Sequence, residues 1–243
     1  VSRPELRQAL APTGVLRAGI NMSNVLLVSA RTADGGPAGV SPDMAAAIAA
    51  CLGVPVRYMP YPRPGELADD AGKDAWDIGL IGAEPQRARE IVFTPAYAEI
   101  EATYLVPPGS AVTRIEEVDA PGVRIAVAER AAYDLWLARN LRHATLLRAA
   151  SLDASFALFR DEGLEALAGL RPKLTADAAT LPGSRVLPGR FMAVQQAIGV
   201  PRHRPGAEAA AAFLARFVAE AKSSGFVAQV IARHGVQGLS VAG

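Results

Sequence analysis

Short β-branched or apolar runs alternate with helix-patterned stretches along nearly the whole chain, and they do so in two series. In the first, strand-like runs at 15–20, 54–58 and 78–81 are interleaved with helical patterns at 44–52 and 85–90. The second begins after Pro107-Pro108-Gly109-Ser110, with strands expected at 123–127, 144–147 and 164–168 and helices at 131–140 and 152–160. It ends near Leu181-Pro182-Gly183, after which 191–200 reads as an extended segment leading back to the first unit. Such alternation demands an α/β sheet flanked by helices. A chain of 243 residues has enough length to bury two cores.

Local signals sharpen the helices. Ser41 is the expected N-cap of the first long helix, with Pro42 at its first position, Asp43 against the positive dipole end and Gly53 just past its C-terminus. Near the chain end, 207–224 places Ala210, Phe213, Leu214, Phe217, Val218 and Ala221 on one helical face, with Gly225 as the expected C-cap. A shorter helix follows, with Phe226, Val230 and Ile231 inward and Gly235 as its stop.

Composition excludes several classes. Lys plus Arg number 25 against 24 for Asp plus Glu, a formal charge of +1, which provides no field to gather nucleic acid or an anionic membrane. Cys51, a lone thiol within an apolar run, is expected in the core, and His143, His203 and His234 lack any spacing that would hold zinc. No metal, cofactor or nucleic-acid partner is expected. There is no run of eighteen apolar residues, and 1–8 lacks a basic segment followed by an apolar one, so any export signal is expected to have been removed.

Several segments, in order, resemble the amino-acid-type family 3 of extracellular solute-binding proteins that serve ABC importers. They are Val15-Leu16-Arg17-Ala18-Gly19-Ile20, Gly39-Val40-Ser41-Pro42-Asp43-Met44, Trp76-Asp77-Ile78, the run from Arg87 through Phe93-Thr94-Pro95 to Tyr97, and Ser224-Gly225-Phe226. The run from Arg87 resembles the family signature with its proline one place early. The resemblance implies a two-lobed periplasmic binding protein type II fold, each lobe a mixed sheet flanked by helices. It implies crossings at about 102–107 and 196–201, with 1–105 as the first part of lobe one, 106–195 as lobe two, and 196–243 returning to lobe one. It further implies a monomeric, periplasmic or extracytoplasmic protein that closes by hinge motion on a small molecule and presents it to a membrane permease, without catalysis.

Arg87 matches the family arginine that grips a ligand carboxylate, a task suited to a planar guanidinium; the alternative is a surface pair with Glu84 or Glu90. Glu84 stands where the family shows Thr or Ser, and either contacts ligand or serves local structure. Gly82 and Ala83 are expected to offer backbone groups. In lobe two the loop 128–132 opens a helix and is expected to form a backbone anion site, with Arg130, Ala131 and Tyr133 as candidate contacts. Where the family places an Asp to accept an ammonium, this chain has Leu170-Arg171, and Arg171 would repel one. Asn21 and Asn24 follow the first strand and serve either ligand or turn. Tyr61 is the aromatic best placed to cover a ligand, Trp76 and Tyr97 being assigned to packing, and of Gln195 and Gln196 only one, Gln196, is expected in the cleft. The working expectation is a carboxylate-bearing solute that is not a standard amino acid. The alternatives are a dehydratase-like enzyme on the same fold, with Glu84 as its acid, and the ligand-sensing part of a receptor.

Overall fold

A computed structural model describes residues 3–243. The chain divides into two compact units, Val1–Glu99 with Gln195–Gly243, and Ile100–Val194. The first division thus falls earlier than the expected 105/106, and the second lies beside the expected 195/196.

The first leg contains α1 (Arg3–Leu10), β1 (Leu16–Asn21), a small hairpin of β2 (Ala30–Arg31) and β3 (Pro37–Ala38), α2 (Val40–Leu52), β4 (Val56–Tyr61), α3 (Pro64–Asp69) and β5 (Ile78–Gly82). A 3₁₀ turn at Arg87–Arg89 and β6 (Ile91–Phe93) lead to β7 (Ala98–Val106), which carries the chain into the second unit. There follow a 3₁₀ turn at Ile115–Glu117, β8 (Arg124–Ala128), α4 (Ala132–Asn140), β9 (Thr145–Ala149), α5 (Leu152–Asp161), β10 (Ala166–Leu170), α6 (Arg171–Thr180) and β11 (Arg185–Val186). The chain returns through β12 (Met192–Pro201) and ends with α7 (Ala207–Ser223), α8 (Phe226–His234) and β13 (Ser240–Val241).

Within the first unit β4, β1 and β5 run parallel, with Asn21 beside Tyr61 and Ile20 beside both Pro60 and Leu80; β12 lies antiparallel on β5, with Gln196 opposite Gly82. In the second, β8 runs parallel between β10 and β9, with Ala128 beside Ala149, and β7 is antiparallel to β10. Each unit has its own core. In the first, Leu67, Trp76, Ile81 and Ile91 cluster beneath Tyr61 and Phe93, and the Trp76 indole N–H donates to the Leu67 carbonyl at 3.0 Å. In the second, Tyr104, Ile125, Val127, Tyr133 and Leu137 pack one sheet face, and Leu105, Phe159, Leu164 and Leu174 pack the other.

Both units pin the amino ends of their parallel strands with the same device. Arg17, in β1, donates its backbone N–H at 2.7 Å and its guanidinium at 3.1 and 2.8 Å to Asp77, the residue before β5. Arg124, opening β8, makes the equivalent contacts at 2.7, 2.9 and 2.8 Å with Glu165, the residue before β10. Only the first clamp is buried: Asp77 is fully enclosed and also takes the guanidinium of buried Arg204, whereas Glu165 is 39% exposed.

Several local expectations are corrected. The N-cap of α2 is Gly39 rather than Ser41. Gly39 has φ 150°, and a Cβ there would lie 2.4 Å from the Leu27 carbonyl oxygen, so only glycine fits. Ser41 and Pro42 fall inside the first turn, and the Ser41 hydroxyl pairs with the Tyr97 hydroxyl at 3.2 Å. Cys51 is exposed rather than core, because Met44, Ala45, Ile48, Ala49 and Leu52 take the inward stripe of α2. The expected helix at 85–90 is a single 3₁₀ turn, since β6 starts at Ile91 and leaves no length to continue. Gly225 caps the start of α8, the end of α7 being capped by Ser224, and Val227 with Val230 forms the buried face of α8 while Phe226 is half-buried. Helices α1, α3 and α6 add to the expected set; Pro64 and Pro172, in the first turns of α3 and α6, are the local signals that mark those two.

Candidate functional site

In parallel α/β sheets the carboxyl ends of the strands offer backbone groups and loops to a ligand. In the first unit these ends are Asn21, Tyr61 and Gly82, on three adjacent strands. Beyond Gly82, the Ala83 N–H donates to the Gln195 carbonyl at 2.7 Å, fixing the exit of β5 against β12. The chain then turns sharply: the Glu84 carboxylate accepts the Gln86 N–H at 2.9 Å, and its carbonyl accepts the Ala88 N–H at 2.9 Å. The Glu84 carboxylate therefore closes the turn onto its own chain two residues on. Arg87 folds back so that its guanidinium donates to the Gly82 carbonyl at 2.8 Å. Glu84 and Arg87 are 4% and 6% exposed, so one strand end carries a buried anion and a buried cation.

Gln196, opposite Gly82, is also buried, and its carbonyl accepts the Tyr97 N–H at 2.9 Å. Gln195, its strand neighbour, donates its amide to Glu99 at 3.0 Å. The two asparagines act in turns: Asn21 Oδ1 accepts from the Ser23 backbone and hydroxyl at 3.1 and 2.7 Å, and Asn24 Oδ1 accepts the Leu26 N–H at 3.1 Å. Tyr61 donates its hydroxyl to Asp70 at 2.8 Å; burial first, then that carboxylate, pushes the phenol far above its ordinary range, keeping it a donor. Trp76 and Tyr97 are fully buried, and burial lifts the Tyr97 phenol to about 12. Gly82, Glu84, Arg87 and Gln196 are thus brought together at the end of β5, with Asn21 and Tyr61 on the same sheet edge and Asn24 just beyond.

In the second unit the loop after β8 differs from the expected backbone anion cradle. The Glu129 N–H donates to the Ala149 carbonyl at 2.9 Å, the Arg130 N–H to Asp134 Oδ2 at 2.7 Å, and the Ala131 N–H to the Ala128 carbonyl at 3.4 Å. The positive end of α4 already holds an anion, the buried Asp134 carboxylate, which Arg148 also grips at 2.9 and 3.1 Å. Sequence reasoning missed Asp134, although an acid in a helix's first turn is a standard signal for such compensation. Arg130 sits at φ 61° with its side chain exposed, while Ala131 and Tyr133 belong to the core, where burial drives the Tyr133 phenol far up. Arg171, first residue of α6, donates to Glu101 at 2.8 Å, to the Leu187 carbonyl at 3.2 Å and to the Gly189 carbonyl. Its charge is spent bracing the strand end and the loop 187–189. Among the described residues no group of His, Cys, Asp and Glu is arranged to hold a metal, and no helix is long and apolar enough to cross a membrane.

Comparison with known proteins bears on this geometry. The family model for bacterial extracellular solute-binding proteins, family 3, matches residues 16–237. No curated protein matches. Among solved structures, a putative binding component of an ABC transporter from Wolinella succinogenes, complexed with lysine, has a TM-score of 0.73 at 17% identity, covering 90% of this chain and 95% of its own. An ancestral amino acid-binding protein, a precursor of cyclohexadienyl dehydratase, has a TM-score of 0.73 at 18% identity, with 94% and 98% covered. A histidine kinase sensor domain with similarity to periplasmic binding proteins has a TM-score of 0.75 at 16% identity, with 94% and 98% covered. At such identities the likeness carries the fold, the two-lobed type II architecture.

Proposed function

The chain belongs to family 3 of the bacterial extracellular solute-binding proteins, and from that premise we propose that it captures a small polar, carboxylate-bearing molecule and delivers it to the permease of an ABC importer. The observation that carries the reading is Arg87, a nearly buried guanidinium at the carboxyl end of β5, oriented by the Gly82 carbonyl. A guanidinium presents its donors in a planar fork whose geometry matches a carboxylate. Gln196 and Asn21 supply neutral donors and acceptors at the same strand ends, and Tyr61 an apolar face. Ligand that bonds to residues of both lobes favours the closed form, and closure signals occupancy to the permease. The protein works as an extracytoplasmic monomer without a cofactor.

Native mass spectrometry of freshly purified protein tests the reading, through the mass of any co-purified solute. With that solute, wild-type protein gains RT ln(1 + [L]/Kd), about 2.7 kcal/mol at a hundredfold excess over Kd, and Arg87→Ala loses this gain. Undiminished ligand stabilisation in Arg87→Ala refutes the assignment of Arg87. The competing enzymatic reading has one observation in its favour, the buried Glu84 beside Arg87, since a sequestered carboxyl serves as a general acid. Conversion of an incubated carboxylate to a product of different mass would establish it in place of binding.

A further inference from the structure

We infer that β13 is a hinge strap: it holds the foot of the crossing strand β7 as far as Glu99, so that the bending by which the lobes open and close is confined to Ile100 and Glu101. This rests on the reading above, that the lobes close on a solute, and adds the element that sets where the chain bends. β7 carries the chain out of the first unit, and the division falls between Glu99 and Ile100. Its first two residues pair antiparallel with β13, Ala98 with Val241 and Glu99 with Ser240, and the Ala242 N–H donates to the Tyr97 carbonyl at 3.2 Å. From Ala102 to Leu105 the same strand pairs with β10 of the second unit. Ile100 and Glu101 lie between these two ladders and belong to neither. Backbone held in a ladder resists changes of φ and ψ because they break its hydrogen bonds, so a hinge takes up its rotation at the few residues left between.

The strap is itself anchored, and every anchor belongs to the first unit. Leu239 and Ala242, on either side of β13, are 7% and 6% exposed, and α8 packs against the strand. Lys222, in the last turn of α7, donates its ammonium to the Gly243 carbonyl at 2.9 Å and to the Ala96 carbonyl at 3.4 Å, tying the strap and the approach to β7 to one side chain. His234, closing α8, meets the Asp43 carboxylate at 2.8 Å and holds that helix against the start of α2. Glu99 is fixed a second time, by the Gln195 amide at 3.0 Å, which joins the outgoing crossing to the returning one. β13 lies beyond residues 16–237, which the family model matches, so the family likeness does not account for it. By narrowing the range of open conformations, such a strap reduces the conformational entropy lost on closure, although none of its residues belongs to the set at the end of β5.

The experiment measures the distance distribution between the units by double electron–electron resonance on the full chain without solute. One spin label is placed on exposed Cys51 in α2 and the other on Ala176→Cys, an exposed position of α6. Ser240→Pro with Ala242→Pro removes the strap's N–H donors to β7. Lys222→Met, which leaves the strand's own bonds in place, serves if the proline variant folds poorly. The expected result is a broader distribution than wild type in the strap variants, together with amide exchange about ten-fold or more faster over 97–101. Glu165→Ala, which leaves the pairing of β7 and β13 in place, should keep the wild-type width. A wild-type width in the strap variants overturns the inference, as does equal broadening in Glu165→Ala, which would trace the effect to general destabilisation. Because no solute is added, such a result counts against the strap alone, whereas the mass spectrometry and Arg87→Ala tests decide the solute-binding reading.

Discussion

The paired strand clamps permit a prediction whose magnitude follows from burial. Asp77 accepts four donors, the Arg17 backbone N–H and two guanidinium nitrogens together with one nitrogen of Arg204, and none of its side-chain surface is exposed. Asp77→Ala strands the guanidinium of Arg204, whose side chain is 7% exposed, with only the Trp76 carbonyl at 3.0 Å and the exposed Asp74 carboxylate at 3.3 Å. Removing one partner of a buried ion network costs about 3–5 kcal/mol. At about 2–4 °C per kcal/mol for a chain of this size, the melting temperature should fall by about 6–20 °C. Glu165→Ala removes the three contacts to Arg124 that match those of Asp77 to Arg17, but Glu165 and Arg124 are 39% and 43% exposed, so water replaces the lost partner. Its effect should be about a third of the first or less. Differential scanning calorimetry of both variants, with urea unfolding as a second measure, decides the matter. Equal losses would refute the argument that burial, rather than the contact pattern, sets the strength of these clamps.

Other outcomes follow from single residues. Gly39→Ala should cost about 3 kcal/mol, visible as a lower urea midpoint at unchanged slope, because the new Cβ meets the Leu27 backbone and φ 150° is strained for any side chain. Glu117 accepts the Thr113 N–H, the Arg114 guanidinium and the Arg114 N–H, which together hold its carboxyl at about 2, below the ordinary 4.5. A depressed carboxyl contributes stability that is complete above its unfolded value and is lost as pH falls through the folded one. Melting curves of Glu117→Gln should therefore differ from wild type above about pH 4.5 and converge with it toward pH 2.

Much of the architecture was legible in the chain because strands and helices differ in period. The strands near residues 15–20, 78–81, 123–127, 144–147, 164–168 and 191–200 appear within two residues of where apolar runs set them, and the glycine at 53 closes α2 in the left-handed conformation, as its position implied. The candidate residues at the end of β5 were also found from sequence, since Arg87 belongs to a recognisable run. What could not be read were partners distant in the chain. The Arg17–Asp77–Arg204 network spans 127 positions between its last two members, and no local pattern distinguishes those arginines from solvated ones. The expected anion cradle at 128–132 is filled instead by Asp134 and by Ala149, whose approach depends on β9 pairing with β8. Cys51 sat in an apolar run yet faces outward, because the run covers every side of α2 and only the stripe of Met44, Ala45, Ile48, Ala49 and Leu52 is buried, leaving Ala50 and Cys51 exposed. Local periodicity determined most of the longer strands and helices and the order in which they follow one another. Only the tertiary structure decided which charges are buried and which donors are already spent, because burial and hydrogen-bond partnership are properties of neighbours that the chain brings together only on folding.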